Sequence, residues 1–203
     1  MAKTWMITGA SSGFGRIMTE KLLARGDRVA ATVRRPEALD DLKSHYGENL
    51  WITTLDVSND GAVRGQIAYA NFSLYHATKW GIEGFIEAVS QEVAPFGIEF
   101  IIAEPGPART DFGRGLVAPQ PMEAYDATPA GEIRRAIADG RFEAKGDPVK
   151  MAQAMIEAAE QRSAPKRLAL GAGSYASIRK ALVERLAELD AFKEVTISAD
   201  VDA

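Results

Sequence analysis

The sequence contains no cysteine, and only two of its 203 residues are histidine. Without thiols the chain can form no disulfide, no cysteine nucleophile and no cysteine-based metal site, and two histidines do not favour a histidine-based one, so no metal is expected. A cysteine-free composition fits the cytoplasm, which is the expected location. The apolar runs are too short to span a membrane. Because Met1-Ala2-Lys3 leads directly into an apolar strand, we expect no signal peptide.

The sequence also lacks an excess of positive charge. Its formal net charge is −4 and its isoelectric point is about 5.3, which argues against nucleic acid or an anionic membrane as a partner. The apolar share of 46% and the charged share of 26% are ordinary for a soluble globular protein. Because no repeat or linker divides the chain, we predict a single domain over residues 1–203.

A glycine-rich stretch at residues 8–15, Thr-Gly-Ala-Ser-Ser-Gly-Phe-Gly, follows a short apolar strand and opens a helical pattern. Gly9 permits a tight turn, Gly13 allows the backbone to approach a phosphate, and Gly15 allows the helix to pack close to the strand. The free N–H groups and the dipole of that helix face the anion. The stretch predicts a pyrophosphate-binding turn, formed by Gly9, Ser11, Ser12, Gly13, Phe14 and Gly15. The alternative is an ordinary glycine-rich turn.

The second predicted strand, residues 28–33, ends in two arginines. In a dinucleotide-binding fold the end of this strand meets the adenosine ribose, where an acid accepts bonds from the 2′-hydroxyl and an arginine pairs with a 2′-phosphate. Since no acid stands at Thr32 or Val33, Arg34 and Arg35 favour NADP(H) over NAD(H). A solvated basic turn is the alternative interpretation.

Hydrophobic periodicity predicts an alternation of strands and helices, which indicates an α/β fold with a doubly wound parallel sheet. The third strand ends in Asp56-Val57, where Asp56 could hold an adenine amino group or cap the next turn. Strands are predicted at 4–7, 28–33, 50–55, 98–103 and 167–171, and helices at 14–24, 37–44, 71–94, 129–138, 147–161 and 174–192, with a frayed acidic tail after 193.

Tyr75 and Lys79 lie four residues apart in the predicted helix 71–94, which places both side chains on one face. A phenol has an ordinary pKa of about 10, and a neighbouring ammonium favours its ionised form. Such a pair can exchange a proton with a carbonyl or alcohol oxygen. The spacing alone is weak evidence, because it arises by chance in many chains. A buried apolar stripe is predicted on the same helix, formed by Leu74, Ile82, Phe85, Ile86, Val89 and Val93.

The strand at 98–103 runs into Pro105-Gly106 and, four residues later, Thr110. A strand that ends in this way opens a crevice at the edge where α/β sheets bind ligands. Residues 107–146 are polar and weakly patterned, and a segment of this length at such an edge is typical of a lid over a substrate. Its apolar members favour a hydrophobic substrate, with packing of the segment on its own protein as the alternative: Phe112, Leu116, Val117, Met122 and Tyr125.

Taken together, these motifs resemble the short-chain dehydrogenase/reductase family in their order and in their strand or helix context. The resemblance implies a Rossmann-like sheet with strand order 3-2-1-4-5-6-7, a nicotinamide cofactor, a small-molecule alcohol or carbonyl substrate, and a homo-oligomer. It makes Tyr75 the catalytic acid/base, and gives Lys79 the roles of holding the nicotinamide ribose and lowering the pKa of the phenol. The other implied cofactor contacts are the 9–15 turn, Arg34, Asp56, Val57, Pro105, Gly106 and Thr110.

The chain departs from the family between Asp56 and Tyr75. Two βα units of about 30 residues each, which should contain strands 4 and 5, are missing there. Ala62 occupies the usual spacing of the catalytic serine and has no hydroxyl, while Ser58 and Ser73 stand at other spacings. The asparagine of the family's tetrad has no counterpart, and a helix that usually belongs to the dimer surface is also missing.

Two arrangements follow from this gap. In the first, the working protein has an interior segment that this chain lacks, with the junction near Arg64-Gly65. In the second, the strand at 98–103 moves beside strand one and gives a five-stranded sheet of order 3-2-1-6-7. The first is favoured, because the flanking motifs are intact.

The leading hypothesis is an NADP(H)-dependent oxidoreductase that interconverts an alcohol and a carbonyl, with Tyr75 as general acid/base. The competing hypothesis is a protein that binds NADP(H) without catalysis, or a deletion product. The missing serine and asparagine favour this competing hypothesis, since losing groups that stabilise charge lowers the reaction rate by orders of magnitude.

Overall fold

The computed structural model describes residues 2–54, 66–110, 120–141 and 144–201. In the described residues the strands are β1 (Thr4–Thr8), β2 (Arg28–Val33), β3 (Leu50–Thr54), β4 (Ile102–Pro105) and β5 (Arg167–Leu170). The helices are α1 (Gly13–Ala24), α2 (Asp40–Tyr46), α3 (Ser73–Val93), α4 (Pro129–Ala138), α5 (Pro148–Glu160), α6 (Ala172–Ala191) and α7 (Lys193–Ile197).

The first three strands form a parallel sheet in the order β1-β2-β3. Thr8 lies opposite Thr32, and Val33 lies opposite Thr54, so the three strands end at one edge. β2 is the middle strand, and its residues Val29, Ala31 and Val33 are buried. Right-handed parallel connections of this kind agree with the predicted strand order 3-2-1.

The fourth and fifth strands form a separate parallel pair, in which Ile102 lies opposite Arg167 and Pro105 lies opposite Leu170. Within the described residues β1 pairs with β2 alone, so the predicted five-stranded order 3-2-1-6-7 is not formed. The first arrangement, in which this chain lacks an interior segment, also depends on the path of residues 57–65. These residues lie outside the described ones.

Helix α5 connects the two sheets. It contacts α1 on one side and β5 on the other, and Ile156 joins the apolar core beneath β1–β3. Asp147 caps its first turn by accepting bonds from the N–H groups of Val149 and Lys150, with Pro148 at the first helical position. A salt bridge from Arg25 to Glu160 also links its last turn to the end of α1.

Most predicted elements are confirmed, with three corrections. β4 covers 102–105 rather than 98–103, and the tail predicted to fray forms the short helix α7. The predicted buried stripe of α3 is wrong, because Leu74, Ile82 and Phe85 are exposed. The side chains that α3 buries are polar: His76, Lys79 and Glu83. Glu83 faces the β4-β5 pair through its contact with Arg167. The other members of the predicted stripe are half-buried: Ile86, Val89 and Val93.

Candidate active site

The turn between β1 and α1 has the geometry that its glycines predict. Gly9 and Gly13 adopt left-handed backbone angles, with φ of 67° and 53°, which glycine enters without steric cost. A Cβ on Gly15 would lie 2.4 Å from the carbonyl oxygen of Gly9, whereas a Cβ on Gly13 would meet open space. Gly15 therefore permits the close approach of helix and turn, while Gly13 leaves room for a ligand against the backbone.

The start of α1 is directed toward this open space. Ser12 precedes the helix in an extended conformation, and its side chain makes no capping bond. The first N–H groups of an α-helix have no partner within the helix, and their dipoles favour an anion. Buried Ala10 anchors the turn to β2, because its N–H donates to the carbonyl of Thr32 over 3.2 Å. Ser11 and Ser12 are exposed.

Arg34 and Arg35 follow the end of β2 directly and are exposed. Because Thr8 and Thr32 are opposite each other in the sheet, the arginines lie at the same edge as the glycine turn. This is the edge at which α/β sheets bind ligands. Two other predicted cofactor contacts, Asp56 and Val57, lie outside the described residues, as do Ser58 and Ala62.

Tyr75 and Lys79 are brought together as predicted. The Lys79 Nζ lies 5.9 Å from the centre of the Tyr75 ring, and the Lys79 residue is only 8% exposed. Tyr75 is half-buried, with its ring edge-on to Phe72 and to His76 at centroid distances of 5.9 and 5.2 Å. A buried ammonium beside a phenol stabilises the phenolate, which is what proton transfer by a tyrosine requires.

His76 holds the segment that enters α3. It is buried, and its Nε2 accepts a bond from the backbone N–H of Tyr69 over 3.1 Å. The acceptor role places the proton of the neutral ring on Nδ1. No residue pattern predicts this contact, because it depends on how the chain turns before the helix.

Gly106 lies against β5 rather than in open space. Its N–H donates to the carbonyl of Leu170 over 2.8 Å, and a Cβ there would lie 3.4 Å from the same oxygen. Pro105 is the last residue of β4, and the N–H of Thr110 donates to the carbonyl of Ala108. The predicted nicotinamide segment is thus a fixed continuation of the β4-β5 pair.

A cluster of charged residues that the sequence did not reveal joins α3 to β4 and β5. Arg167 pairs with Glu83, Glu87 and Glu104, and Gln66 donates to the Glu104 carboxylate over 2.5 Å. A weak signal exists, because Glu83 follows Lys79 by the same four residues that separate Lys79 from Tyr75. Its partner is 84 residues away in the chain, which no local pattern indicates.

The structure places the predicted site residues in two groups. The 9–15 turn and the two arginines belong to the β1–β3 sheet, whereas Tyr75, Lys79, Pro105 and Gly106 belong to the α3, β4 and β5 assembly. Within the described parts of the chain, no group of three or more His, Asp or Glu residues could hold a metal ion. No helix of those parts is long and apolar enough to cross a membrane.

Comparison with known proteins decides the family. The family model described as short chain dehydrogenase matches residues 3–64 and 59–120, together more than half of the chain. A crystal structure of a short-chain dehydrogenase from Streptomyces avermitilis is 30% identical with a TM-score of 0.83, and covers 99% of this chain and 100% of that one. The chain belongs to the short-chain dehydrogenase/reductase family. It is therefore an oxidoreductase of that type with a Rossmann fold.

Two curated relatives match different shares of the molecule. "Oxidoreductase BOA17" of Botryotinia fuckeliana is 26% identical over 270 residues, which cover 93% of this chain and 98% of that protein. The "NADP-dependent 3-hydroxy acid dehydrogenase YdfG" of Escherichia coli is 43% identical over 63 residues, 31% of this chain. The chain spans only a quarter of the length of YdfG, 25%.

The same comparisons bear on the gap between Asp56 and Tyr75. The alignment with BOA17 has 270 positions and this chain has 203 residues, so at least 67 positions (270 less 203) have no counterpart here. The two matches to the family model overlap at residues 59–64, next to the predicted junction at Arg64-Gly65. A shortfall of that size is about that of two βα units of roughly 30 residues each.

Proposed function

We propose that this protein is an NADP(H)-dependent oxidoreductase that interconverts an alcohol and a carbonyl, with Tyr75 as the general acid/base. The observation that carries the proposal is the buried Lys79 ammonium 5.9 Å from the Tyr75 ring centre, on one face of α3. An acid/base at a carbonyl oxygen must release and regain a proton near neutral pH. A buried cation beside the phenol lowers the cost of its ionised form.

The glycine turn fits the pyrophosphate of a nicotinamide dinucleotide. Its open space beside Gly13 accepts a phosphate against the backbone, and the start of α1 offers N–H groups and a favourable dipole. The residues that would hold the pyrophosphate are Gly9, Ser11, Ser12, Gly13, Phe14 and Gly15. When bound, the nicotinamide supplies or accepts the hydride.

The exposed guanidinium groups of Arg34 and Arg35 support a preference for NADP(H). They lie at the ligand edge beside the turn, where a 2′-phosphate would meet two cations that pair well with its oxygens. YdfG, with 43% identity over 63 residues, is named as NADP-dependent, which also favours this choice. Asp56 and Val57 would complete the adenosine site.

The remaining site residues would act at the reacting end of the cofactor. Tyr75 would donate a proton to the carbonyl oxygen during reduction and remove it during oxidation. Lys79 would hold the nicotinamide ribose as well as favour the phenolate, and Pro105, Gly106 and Thr110 would contact the nicotinamide end. The same proposal includes a cytoplasmic location, which the cysteine-free composition favours. It also includes a homo-oligomer, which the family resemblance favours.

We further propose that residues 107–146 form a lid over a hydrophobic small-molecule substrate. The base of this segment is closed by a parallel bridge between Ala108 and Gly146, and Met122 and Tyr125 near its middle are exposed. A segment closed at its base with apolar side chains at its surface can fold over a ligand without unfolding its ends. Phe112, Leu116 and Val117 lie outside the described residues.

The second candidate is a protein that binds NADP(H) without turning over a substrate. At least 67 positions of a relative have no counterpart here, and the sequence holds no serine at the family's catalytic spacing. A serine hydroxyl would orient the substrate oxygen, and its loss typically lowers the rate by orders of magnitude. The cofactor-binding turn does not depend on that serine.

One experiment tests the proposal and separates the two candidates. NADPH and NADH are titrated into the wild type, Tyr75→Phe and the control Tyr175→Phe, which alters an exposed tyrosine of α6, with fluorescence as the readout. Oxidation of NADPH is then followed with a panel of ketones and aldehydes. We expect tighter binding of NADPH than of NADH by all three proteins. We also expect turnover that falls about 10²–10⁴-fold in Tyr75→Phe alone.

Each alternative result has a definite meaning. Activity retained in Tyr75→Phe would overturn the acid/base role. Binding of NADPH by the wild type without oxidation against the whole panel would support the non-catalytic candidate. Equal affinity for both cofactors would refute the role given to the two arginines.

A further inference from the structure

Arg167 is the centre of a charged cluster that the proposed reaction does not use. It begins β5, and its guanidinium pairs with Glu83 and Glu87 of α3 and with Glu104 of β4. The bond from Nη2 to Glu87 is 2.6 Å long, and that from Nη1 to Glu104 is 2.8 Å. One side chain therefore links three carboxylates on two different elements.

The cluster depends on a guanidinium, because two of its carboxylates are removed from water. Glu83 is 5% exposed and Glu104 is 3% exposed. Buried carboxylates are costly unless they are paired and hydrogen-bonded. A planar fork with five N–H groups can reach three acceptors at once, which the point charge of a lysine cannot do in the same geometry.

The elements joined by Arg167 carry the two parts of the proposed reacting site. Glu83 lies one turn after Lys79 and two turns after Tyr75, so all three project from one face of α3. Glu104 directly precedes Pro105 and Gly106, and its carbonyl accepts a bond from the Ser174 hydroxyl over 3.0 Å. Arg167 thus connects the helix of the phenol to the strand that runs into the predicted nicotinamide segment.

We propose that Arg167 is a positioning residue that sets the rotation of α3 relative to β4. By holding Glu83 it directs Tyr75 and Lys79 toward the segment at Pro105-Gly106. The inference rests on the proposed function, but its structural part concerns the environment of the phenol and does not require turnover.

Loss of Arg167 should act on Tyr75 through Glu83 and Lys79. When its guanidinium is removed, the Glu83 carboxylate attracts nearby cations more strongly, and Lys79 lies at the i, i−4 position where helical ion pairs form. Pairing with Glu83 would draw the ammonium away from the Tyr75 ring, which it approaches to 5.9 Å. Both Lys79 and His76 lie beside the phenol, and weakening the lysine contact raises the pKa of the phenol.

The test compares Arg167→Met, Arg167→Met with Glu83→Gln, and the control Lys180→Met, which breaks an exposed pair with Glu184. The phenol of Tyr75 is titrated in the full chain by difference absorbance, each protein being read against its own Tyr75→Phe counterpart. We expect Arg167→Met to raise that pKa by about one pH unit and to lower kcat about tenfold with little change in KM. Glu83→Gln should restore most of both values, and the control should change neither.

A purely structural role predicts a different pattern. Arg167→Met would then lower the urea midpoint but leave the titration of the phenol unchanged. Adding Glu83→Gln, which removes another partner, would not restore the midpoint. This pattern in a folded variant overturns the proposal. If Arg167→Met does not fold, Arg167→Lys keeps the charge without the fork, and it must shift the titration in the same direction. If the titration shifts and is rescued but the wild type shows no turnover, the positioning role is supported and the catalytic proposal is refuted. If the wild type turns over and the titration is unchanged, the catalytic proposal is supported and the positioning role is refuted.

Discussion

Two regions of this molecule are held together by different kinds of interaction. The three-stranded region, made of β1, β2 and β3 with α1, α2 and α5, has a continuous apolar core. The two-stranded region, made of α3, β4, β5 and α6, buries mainly polar and charged side chains. The core of the first consists of Ile7, Ala10, Leu22, Leu23, Val29, Ala31, Val33, Leu39, Leu42, Leu50 and Ile156. Among those buried in the second are His76, Lys79, Glu83, Glu104 and Ser174.

Several apolar side chains of α3 lie at the surface of the two-stranded region instead. Leu74 is 82% exposed and Phe85 is 59% exposed, both on α3. An apolar stripe of this kind is typical of a helix that packs against a neighbour. The family's order 3-2-1-4-5-6-7 places two strands and their helices between these regions, and relatives have residues that this chain lacks. In that order further elements would lie beside α3 and also beside β1, which pairs with β2 alone in the described residues.

The largest effect that would test this comparison is the loss of a core side chain. Leu22 of α1 is fully buried, with 0% exposure, and Leu74 of α3 is its exposed counterpart. We expect Leu22→Ala to lower the free energy of unfolding by about 2–5 kcal/mol, because it leaves a cavity. Leu74→Ala should change it by less than about 0.5 kcal/mol. Urea unfolding followed by circular dichroism measures both.

A large loss of stability in Leu74→Ala would contradict the difference drawn between the two regions. It would mean that another surface covers α3 in solution, so the same proteins should be passed over a sizing column. A shift of oligomeric state in that variant alone would identify a second copy of the chain as the cover.

Substitutions of two glycines test the same difference between the regions with a smaller expected effect. A Cβ on Gly15 would lie 2.4 Å from the Gly9 carbonyl oxygen, whereas a Cβ on Gly84 of α3 would meet nothing within 4 Å. We expect Gly15→Ala to cost about 1–3 kcal/mol of stability by overpacking and to weaken NADPH binding, since the turn must shift. Gly84→Ala should stabilise the helix by up to about 1 kcal/mol.

The control within this pair is the cofactor titration of Gly84→Ala, which should match that of the wild type. Equal NADPH affinity in Gly15→Ala and wild type would contradict the role given to the turn. Destabilisation by Gly84→Ala would show that α3 is more closely covered than its surroundings indicate.

The three-stranded region could be predicted from the sequence because its signals are local. β1, α1 and β2 follow from apolar alternation, a glycine turn and an amphipathic pattern, and each packs on its chain neighbour. The closeness of Tyr75 and Lys79 is likewise a property of one helix turn. These features need no knowledge of what lies elsewhere in the fold.

The two-stranded region could not be predicted to the same depth. The apolar periodicity of α3 predicts burial of Leu74 and Phe85, but burial also requires a partner, which the described residues do not provide. The contacts of Arg167 with Glu83 and Glu104 span 84 and 63 residues along the chain. Such long-range pairs depend on topology, and no residue spacing encodes them.

The smallest expected effect is a difference in acid sensitivity between the regions. In the three-stranded region, burial opposes ionisation of Asp27, but bonds from the Lys3 N–H, Arg25 and the Trp5 indole outweigh it and lower the pKa of Asp27. In the two-stranded region, the bond from Arg167 lowers the pKa of the exposed Glu87 carboxylate. A lowered folded-state pKa stabilises the protein above the unfolded value, and this stability is lost as the pH falls through the folded one.

Asp27→Asn should therefore lower the urea midpoint at pH 7 and converge with the wild type as the pH falls below the ordinary aspartate pKa of 3.8. Glu87→Gln should show the same convergence with a smaller amplitude, because water screens an exposed pair. Midpoints measured from pH 7 to about pH 2.5 give both curves. A larger amplitude for Glu87→Gln than for Asp27→Asn would contradict this expected order. It would mean that the charged cluster around Arg167 stabilises the fold more than the buried Asp27 carboxylate does.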